Sequence, residues 1–315
     1  VKRVLSSALV ALGLVFAPAA PAQPGADAWQ PVVMDRAVQR DIVSQHTGRT
    51  HRIFVAVPEG EAPEGGWPVL YLVDGNAHFH VADRLMRAVG QFARALPPGV
   101  ETPVVVGIGY PDVMLLDIPA RAEDLTPPAG DLSDTGDRMS PVQGGADRFL
   151  AFIQDELKPA IAAEFAIDPQ RETLAGHSYG GLFALHTLFT DADAFDTYVA
   201  GSPSIWWNDR YILQEAGAFL AAPPPQDAPR LLIGVGGMEQ TPMPWQTDAA
   251  RNRRLAEARM VDNAAELAGR LAAEGSGHVA VDFRVFEGEI HYTASLPMTM
   301  RAVELAAGYP LAGAE

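Results

Sequence analysis

Ser178 stands at the centre of Gly176-His177-Ser178-Tyr179-Gly180, with Gly181 following. A serine hydroxyl is a weak nucleophile until a base takes its proton and donors receive the charge that develops on the substrate. Glycines on both sides suit a serine carried on a sharp turn, because they let backbone and helix pass closely. Residues 171–174 read as a short strand, and 181–188 (Gly-Leu-Phe-Ala-Leu-His-Thr-Leu) as a buried helix. Strand, serine, helix is the setting of a nucleophile elbow. An idle serine in a glycine-rich turn is the alternative, and the flanking elements weigh against it.

A base must follow Ser178 in the chain if the acid and histidine come in the order this architecture uses. Of the eight histidines, His291 is the one placed in the loop after the last expected strand, in Glu287-Gly288-Glu289-Ile290-His291. His177 adjoins the nucleophile, His186 lies on the helix behind it, His278 opens a strand, and His46 and His51 flank an early turn. His78 and His80 follow a strand with alternate spacing and no third ligand, which suits packing better than a metal. The acid belongs after the preceding strand, where Glu239 follows Gly236-Gly237-Met238. It would fix the tautomer of His291 and stabilise the imidazolium. Glu287, Glu289 and Asp248 compete for this role. The oxyanion hole needs two backbone amides: one from Tyr179, the other from Gly75 or Asn76 after the strand at 68–73.

Alternating elements must hold these residues. Residues 31–57 read as antiparallel strands around the turn Thr47-Gly48. Continuous apolar runs at 68–73 and 103–109 suit strands buried on both faces. A helical spacing covers 81–96, and another covers 150–161 with a break or kink at Pro159. Further strands are expected at 195–200, 230–236 and 279–286. Helices are expected at 212–220, at 261–271 with Gly275 as cap, and at 293–307. The expected fold is α/β: a doubly wound, mainly parallel sheet of α/β-hydrolase type with an antiparallel N-terminal start. Residues 110–146, rich in Pro, Asp and Gly, form a loop long enough to be functional.

Lys2 and Arg3, an apolar run at 4–16 and Ala20-Pro21-Ala22 have the form of a secretory signal peptide over residues 1–22. Its removal would leave 23–315 as a single domain acting in the periplasm or outside the cell, with no stable membrane span. The formal charge of −16 falls by two more without Lys2 and Arg3, which argues against nucleic acid and anionic membranes as partners. With no cysteine, thiol chemistry and thiolate metal sites are excluded. No cofactor and no metal are expected.

The stretch 176–183 (Gly-His-Ser-Tyr-Gly-Gly-Leu-Phe), followed by Ser202-Pro203-Ser204-Ile205-Trp206-Trp207, resembles the esterase D-like α/β-hydrolases, and within them the siderophore esterases that cut enterobactin-type trilactones. The likeness extends to 70–76, 106–111, the Arg-x-x-Asp-Leu-Thr-Pro stretch at 121–127, and the ending at 287–291. It implies a serine esterase working through an acyl-enzyme on a small-molecule ester, with a ferric siderophore among the candidate substrates. Some members are described as using a Ser–His dyad, which leaves the place of Glu239 open. Asp74-Gly75-Asn76 departs from the Asp-Gly-Asp of relatives. Trp206 and Trp207, beside a strand end, could wall a flat acyl or catechol group, with at least one of them packing as core. Arg121 could bind an anionic substrate, or it could pair with Asp124 and hold the loop. The alternatives are a general carboxylesterase or acyltransferase for other small esters, and a non-catalytic binding protein on the same fold.

Overall fold

The structure is a computed structural model that describes residues 33–311 apart from 93, 94 and 96. The leader at 1–22 and Leu96 of the expected helix 81–96 lie outside the described residues. Residues 1–35 and 36–315 are separate units, and all the elements below belong to the second.

The strands are β1 (Ala37–Val43), β2 (Thr50–Ala56), β3 (Trp67–Val73), β4 (Val104–Gly109), β5 (Ile167–His177), β6 (Thr197–Gly201), β7 (Arg230–Gly236) and β8 (Ala280–Phe286). They form one sheet in the order β1-β2-β4-β3-β5-β6-β7-β8. The β1–β2 and β2–β4 pairs are antiparallel, and the other pairs are parallel. Strand order reverses where β3 lies between β4 and β5, so the crevice beyond the C-terminal ends of β3 and β5 is the natural ligand site of such a sheet. All six residues of β4 are buried, as are all of β3 but Trp67. Helices cover both faces of these strands, which is why their sequences are continuous apolar runs rather than alternating ones.

The helices are α1 (Gly75–Gln91), α2 (Ile118–Asp124), α3 (Ala146–Ala151), α4 (Lys158–Glu164), α5 (Tyr179–Thr190), the single turn α6 (Trp207–Arg210), α7 (Ile212–Ala221), α8 (Ala249–Ala258), α9 (Met260–Glu274) and α10 (Ser295–Ala306). Helix α5 is buried at every residue except Thr190, and it packs on β5, β6, α3 and α7. The helix α1 and its neighbour α10 pack against each other and on the central strands.

Two expectations are corrected and one helix was not anticipated. The break in the helix near Pro159 is a π-helical segment, Phe152–Leu157, and Pro159 opens the next helix, where its missing N–H is harmless. The loop 110–146 contains α2, a short helix whose N-cap Asp117 accepts the Ala120 N–H at 3.0 Å. Helix α8 has no buried residue, so it carries no apolar stripe for periodicity to detect.

His186 holds three helices together. Its residue is 1% exposed, yet Nδ1 lies 2.9 Å from Glu215 of α7 and Nε2 lies 2.9 Å from Asp147 of α3. Burial would push its pKa down; the two carboxylates outweigh burial and hold it at about 9. The ordinary value is about 6.5. A raised pKa contributes stability that is complete below about 6.5 and lost as pH rises through about 9. The contribution is of the order of 3 kcal/mol. The urea midpoint of the protein should therefore fall between pH 6.5 and 9.5. His186→Gln should be less stable at pH 6 and show a flatter profile in that window. A parallel fall in both proteins would assign the pH dependence elsewhere.

Candidate active site

Three strand ends and one loop bring the site together. β5 ends at His177 and α5 starts at Tyr179, so Ser178 is the whole connection. Its backbone adopts φ 63°, ψ −116°, a conformation disfavoured for any side-chain-bearing residue. The turn is possible because a Cβ on Gly176 would lie 2.4 Å from the carbonyl of Gly180, and one on Gly181 would lie 2.6 Å from the carbonyl of Gly201. Both contacts exclude a side chain. The Ser178 N–H donates to the Gly201 carbonyl at 2.8 Å, and its own carbonyl accepts from Leu182 and Ser204 at 3.0 and 3.2 Å.

β7 ends at Gly236, and Glu239 folds back into the sheet edge, 2% exposed. One carboxylate oxygen, Oε1, accepts the Gly236 N–H at 2.6 Å and the hydroxyl of Ser202. The other, Oε2, accepts from His291 Nδ1 at 2.6 Å. The loops bearing acid and base are joined by backbone bonds as well, Gly237 N–H to Phe286 O at 2.9 Å and Met238 N–H to Glu289 O at 3.0 Å. A Cβ at Gly236 would lie 2.5 Å from the Glu289 carbonyl, so glycine there lets the loops touch. The competing acids are elsewhere: Asp248 caps α8, Glu287 is exposed, and the contact Glu289 makes to this loop is through its backbone carbonyl.

His291 keeps 35% of its side chain exposed, and its ring lies 4.6 Å from that of His177. Burial, and then the positive charge that His291, His78 and Arg121 would place nearby, push the His177 pKa well down, so His177 is neutral. The Ser178 hydroxyl is not hydrogen-bonded to His291 in this structure; it lies 3.4 Å from the hydroxyl of Ser204. Catalytic hydrogen bonds are often unformed before substrate arrives.

The expected oxyanion donors are at hand. Gly75 and Asn76 are the first two residues of α1, and Tyr179 is the first of α5, so their N–H groups have no acceptor within their helices. Asp74, before Gly75, is held at φ 54° in the left-handed region. The Asn76 side chain accepts from the Tyr110 N–H at 2.7 Å and donates to the carbonyls of Tyr110 and Val113, each at 3.0 Å. An amide can both donate and accept in this way, which an ionised carboxylate cannot.

Two substrate-binding expectations change. Arg121 is 6% exposed and forms a two-pronged ion pair with Asp74 at 2.9 and 2.8 Å. Its Nη2 lies 3.4 Å from the His177 carbonyl, and its guanidinium sits 5.3 Å from the Tyr179 ring centre. It is buried under the elbow rather than presented to a ligand, with Nε and Nη2 committed to Asp74 and the His177 carbonyl. Nor does it pair with Asp124, which accepts from Tyr110 and faces Arg49. Trp207 is fully buried and donates from Nε1 to Gln143 at 2.6 Å, so it is core. Trp206 is half-buried, with its ring 6.2 Å from that of Tyr179. Among the described residues no group of His, Asp and Glu has the arrangement of a metal site.

The sequence reading missed Asp74, Asp137, Ser202 and Ser204. Asp137 accepts the Tyr179 hydroxyl at 2.8 Å. The signal for Ser202 and Ser204 was their place after β6, level with the elbow. For Asp137 no signal exists, since it lies in an irregular loop.

The family model named Esterase matches residues 44–285. The chain is 36% identical over 271 residues to the ferri-bacillibactin esterase of Bacillus subtilis, covering 85% of this chain and 88% of the relative. It is 40% identical over 261 residues to the siderophore triacetylfusarinine C esterase of Aspergillus fumigatus, covering 78% and 84%. Its fold superimposes on the siderophore hydrolase EstB from Aspergillus nidulans with a TM-score of 0.76 at 33% identity, covering 90% of this chain and 99% of that one. With an elbow, a buried acid and a loop-borne histidine at one sheet edge, and with this likeness over most of its length, the chain belongs to the esterase family of the α/β-hydrolase fold and is a carboxylic-ester hydrolase.

Proposed function

We propose that the protein hydrolyses ester bonds of a ferric siderophore through an acyl-enzyme on Ser178. The observation that carries the catalytic part is the commitment of Glu239: one oxygen is bound by Gly236 N–H and Ser202, the other faces His291 Nδ1. That contact puts the proton of a neutral His291 on Nδ1 and leaves Nε2 free to accept. Ser178 rotates from Ser204 toward His291, gives its proton to Nε2, and its Oγ attacks the ester carbonyl. The oxyanion is received by the N–H groups of Tyr179 and of Gly75 or Asn76. The imidazolium then protonates the departing alkoxide, and water repeats the sequence on the acyl-enzyme. The two siderophore esterases that align over most of this chain support the substrate class.

Ser178→Ala should lower kcat by roughly 10⁶-fold and abolish labelling by a fluorophosphonate, with an unchanged fold. An unlabelled wild-type protein would sink the nucleophile assignment and favour a binding protein on this fold. A panel of ferric and iron-free trilactones beside simple esters tests the substrate class, and turnover of the simple esters alone would remove the siderophore.

Glu239→Gln tests the acid. Gly236 N–H and Ser202 require an oxygen on their side, so the amide NH₂ must face His291 and force the wrong tautomer. kcat should fall by up to about 10⁴-fold. Full activity in that variant would mean that a Ser–His dyad suffices.

Arg121 holds Asp74, at the entrance to the oxyanion amides, against the elbow. Removing it leaves a buried carboxylate unpaired. Arg121→Ala should cost about 3–5 kcal/mol of stability, and kcat should fall for anionic and neutral esters alike. A loss confined to KM for anionic esters, with the urea midpoint intact, would restore a substrate-binding role.

A further inference from the structure

Between Gln240 and Asp262 the chain leaves the body and returns to the same place. Gln240 follows the acid Glu239 directly, and Asp262 lies in the first turn of α9. Gln240 Nε2 donates to Asp262 Oδ2 at 2.8 Å, and the Asp262 N–H donates back to Gln240 Oε1 at 3.1 Å. Both ends of the excursion are thus pinned at the sheet edge that carries Ser178 and His291, and residues 241–259 project from that edge.

What the excursion carries is unusual for this chain. Helix α8 has no fully buried residue and Ala258 at its end is partly buried against the core, so core formation explains little of it. It presents Arg251, Arg253 and Arg254, all exposed, and none of their guanidinium groups makes a hydrogen bond or close ion pair among the described residues. Many other arginines have a carboxylate: Arg40 meets Glu164, Arg52 meets Asp41, and Arg171 meets Glu101. Three unpaired cations within one helical turn repel one another. In a chain with 39 acidic residues against 23 basic ones, this helix and its cap set three arginines against two carboxylates, Asp248 and Glu257, and so keep a net positive charge. Asp248, the acid nearest the N-terminal end of α8, has its carboxylate engaged by the Ala250 and Arg251 N–H groups. Ahead of the helix stands Trp245, 72% exposed. A large exposed indole beside guanidinium groups suits a ligand with both negative charge and flat aromatic faces.

The overall charge of −16 repels an anionic substrate, and a local cationic surface at the mouth of the site reverses that field where it matters. We propose that residues 241–259 form a recognition arm for an anionic ferric tris-catecholate ester, with Arg251, Arg253 and Arg254 supplying the charge and Trp245 a stacking face. The inference rests on the siderophore reading above and narrows it: a tris-catecholate complex of Fe³⁺ carries three negative charges, whereas a tris-hydroxamate complex is neutral and gains nothing from the arm's charge.

The test measures binding, separately from turnover. Ser178→Ala protein is titrated with a ferric catecholate trilactone and with a neutral ferric tris-hydroxamate, following tryptophan fluorescence, at two salt concentrations. The same titrations are run with Arg251→Gln, Arg253→Gln and Arg254→Gln added together. All three side chains are exposed, so the urea midpoint of the combined variant should match its parent. The expected result is a Kd for the catecholate complex about tenfold weaker in the variant, with most of its salt dependence gone and the hydroxamate Kd shifted less than twofold. An unchanged catecholate Kd, an equal loss for both complexes, or no catecholate binding by the parent overturns the arm. Wild-type hydrolysis of simple esters reports separately on the nucleophile, so failure of the chemistry and failure of the arm are distinct results.

Discussion

The catalytic edge depends on a steric constraint. Ser178 must hold φ 63° while β5 and α5 pass within contact distance, and this works because Gly176 and Gly181 bring no side chains to the crossing. Such a conformation costs of the order of 1–3 kcal/mol and survives only where surrounding structure over-determines it. The surroundings do so here. The Ser178 backbone is bound on both sides, to Gly201 through its N–H and to Leu182 and Ser204 through its carbonyl. Helix α5 is buried at all but its last residue, so the elbow cannot relax by tilting the helix outward.

Around that turn, polar groups are spent on geometry. Arg121 links Asp74, at the oxyanion loop, to the His177 carbonyl, at the elbow. Glu239 links β6, β7 and the His291 loop through Ser202, Gly236 and His291. In each case a buried charge has its partners supplied by two or more different elements. Buried ion pairs are weak evidence of stability in themselves, but removing one member is costly. The arrangement therefore fixes how the strand ends stand relative to one another.

The elements that could be read from sequence are those with a periodic or compositional mark. β3, β4 and β7 are continuous apolar runs between turn residues, and Arg230–Gly236 has the expected limits. Ser178, Glu239 and His291 could be located by chain order, since each follows a legible strand or precedes a legible helix. Arg121 could not be assigned correctly, because its partner Asp74 is 47 residues away and nothing local distinguishes a buried guanidinium from an exposed one. The tryptophan pair resolved into one core and one half-buried residue through the backbone of 204–211, where Asn208, Asp209 and Arg210 all have positive φ. No propensity predicts three such residues in a row.

The loop between α2 and α3 is tied to the segment after β6 at several points: Trp207 Nε1 to Gln143, Asn208 N–H to Thr135, and Asn208 Nδ2 to the Asp131 carbonyl. A flexible loop ordered only on ligand binding would subtract its backbone entropy, about 1–2 kcal/mol per residue fixed, from the affinity. Here that ordering accompanies folding of the core, because its main anchor, Trp207, is itself a core side chain. The wall of the site is thus inherited from the hydrophobic collapse, and a substrate meets a surface whose shape was settled before it arrived.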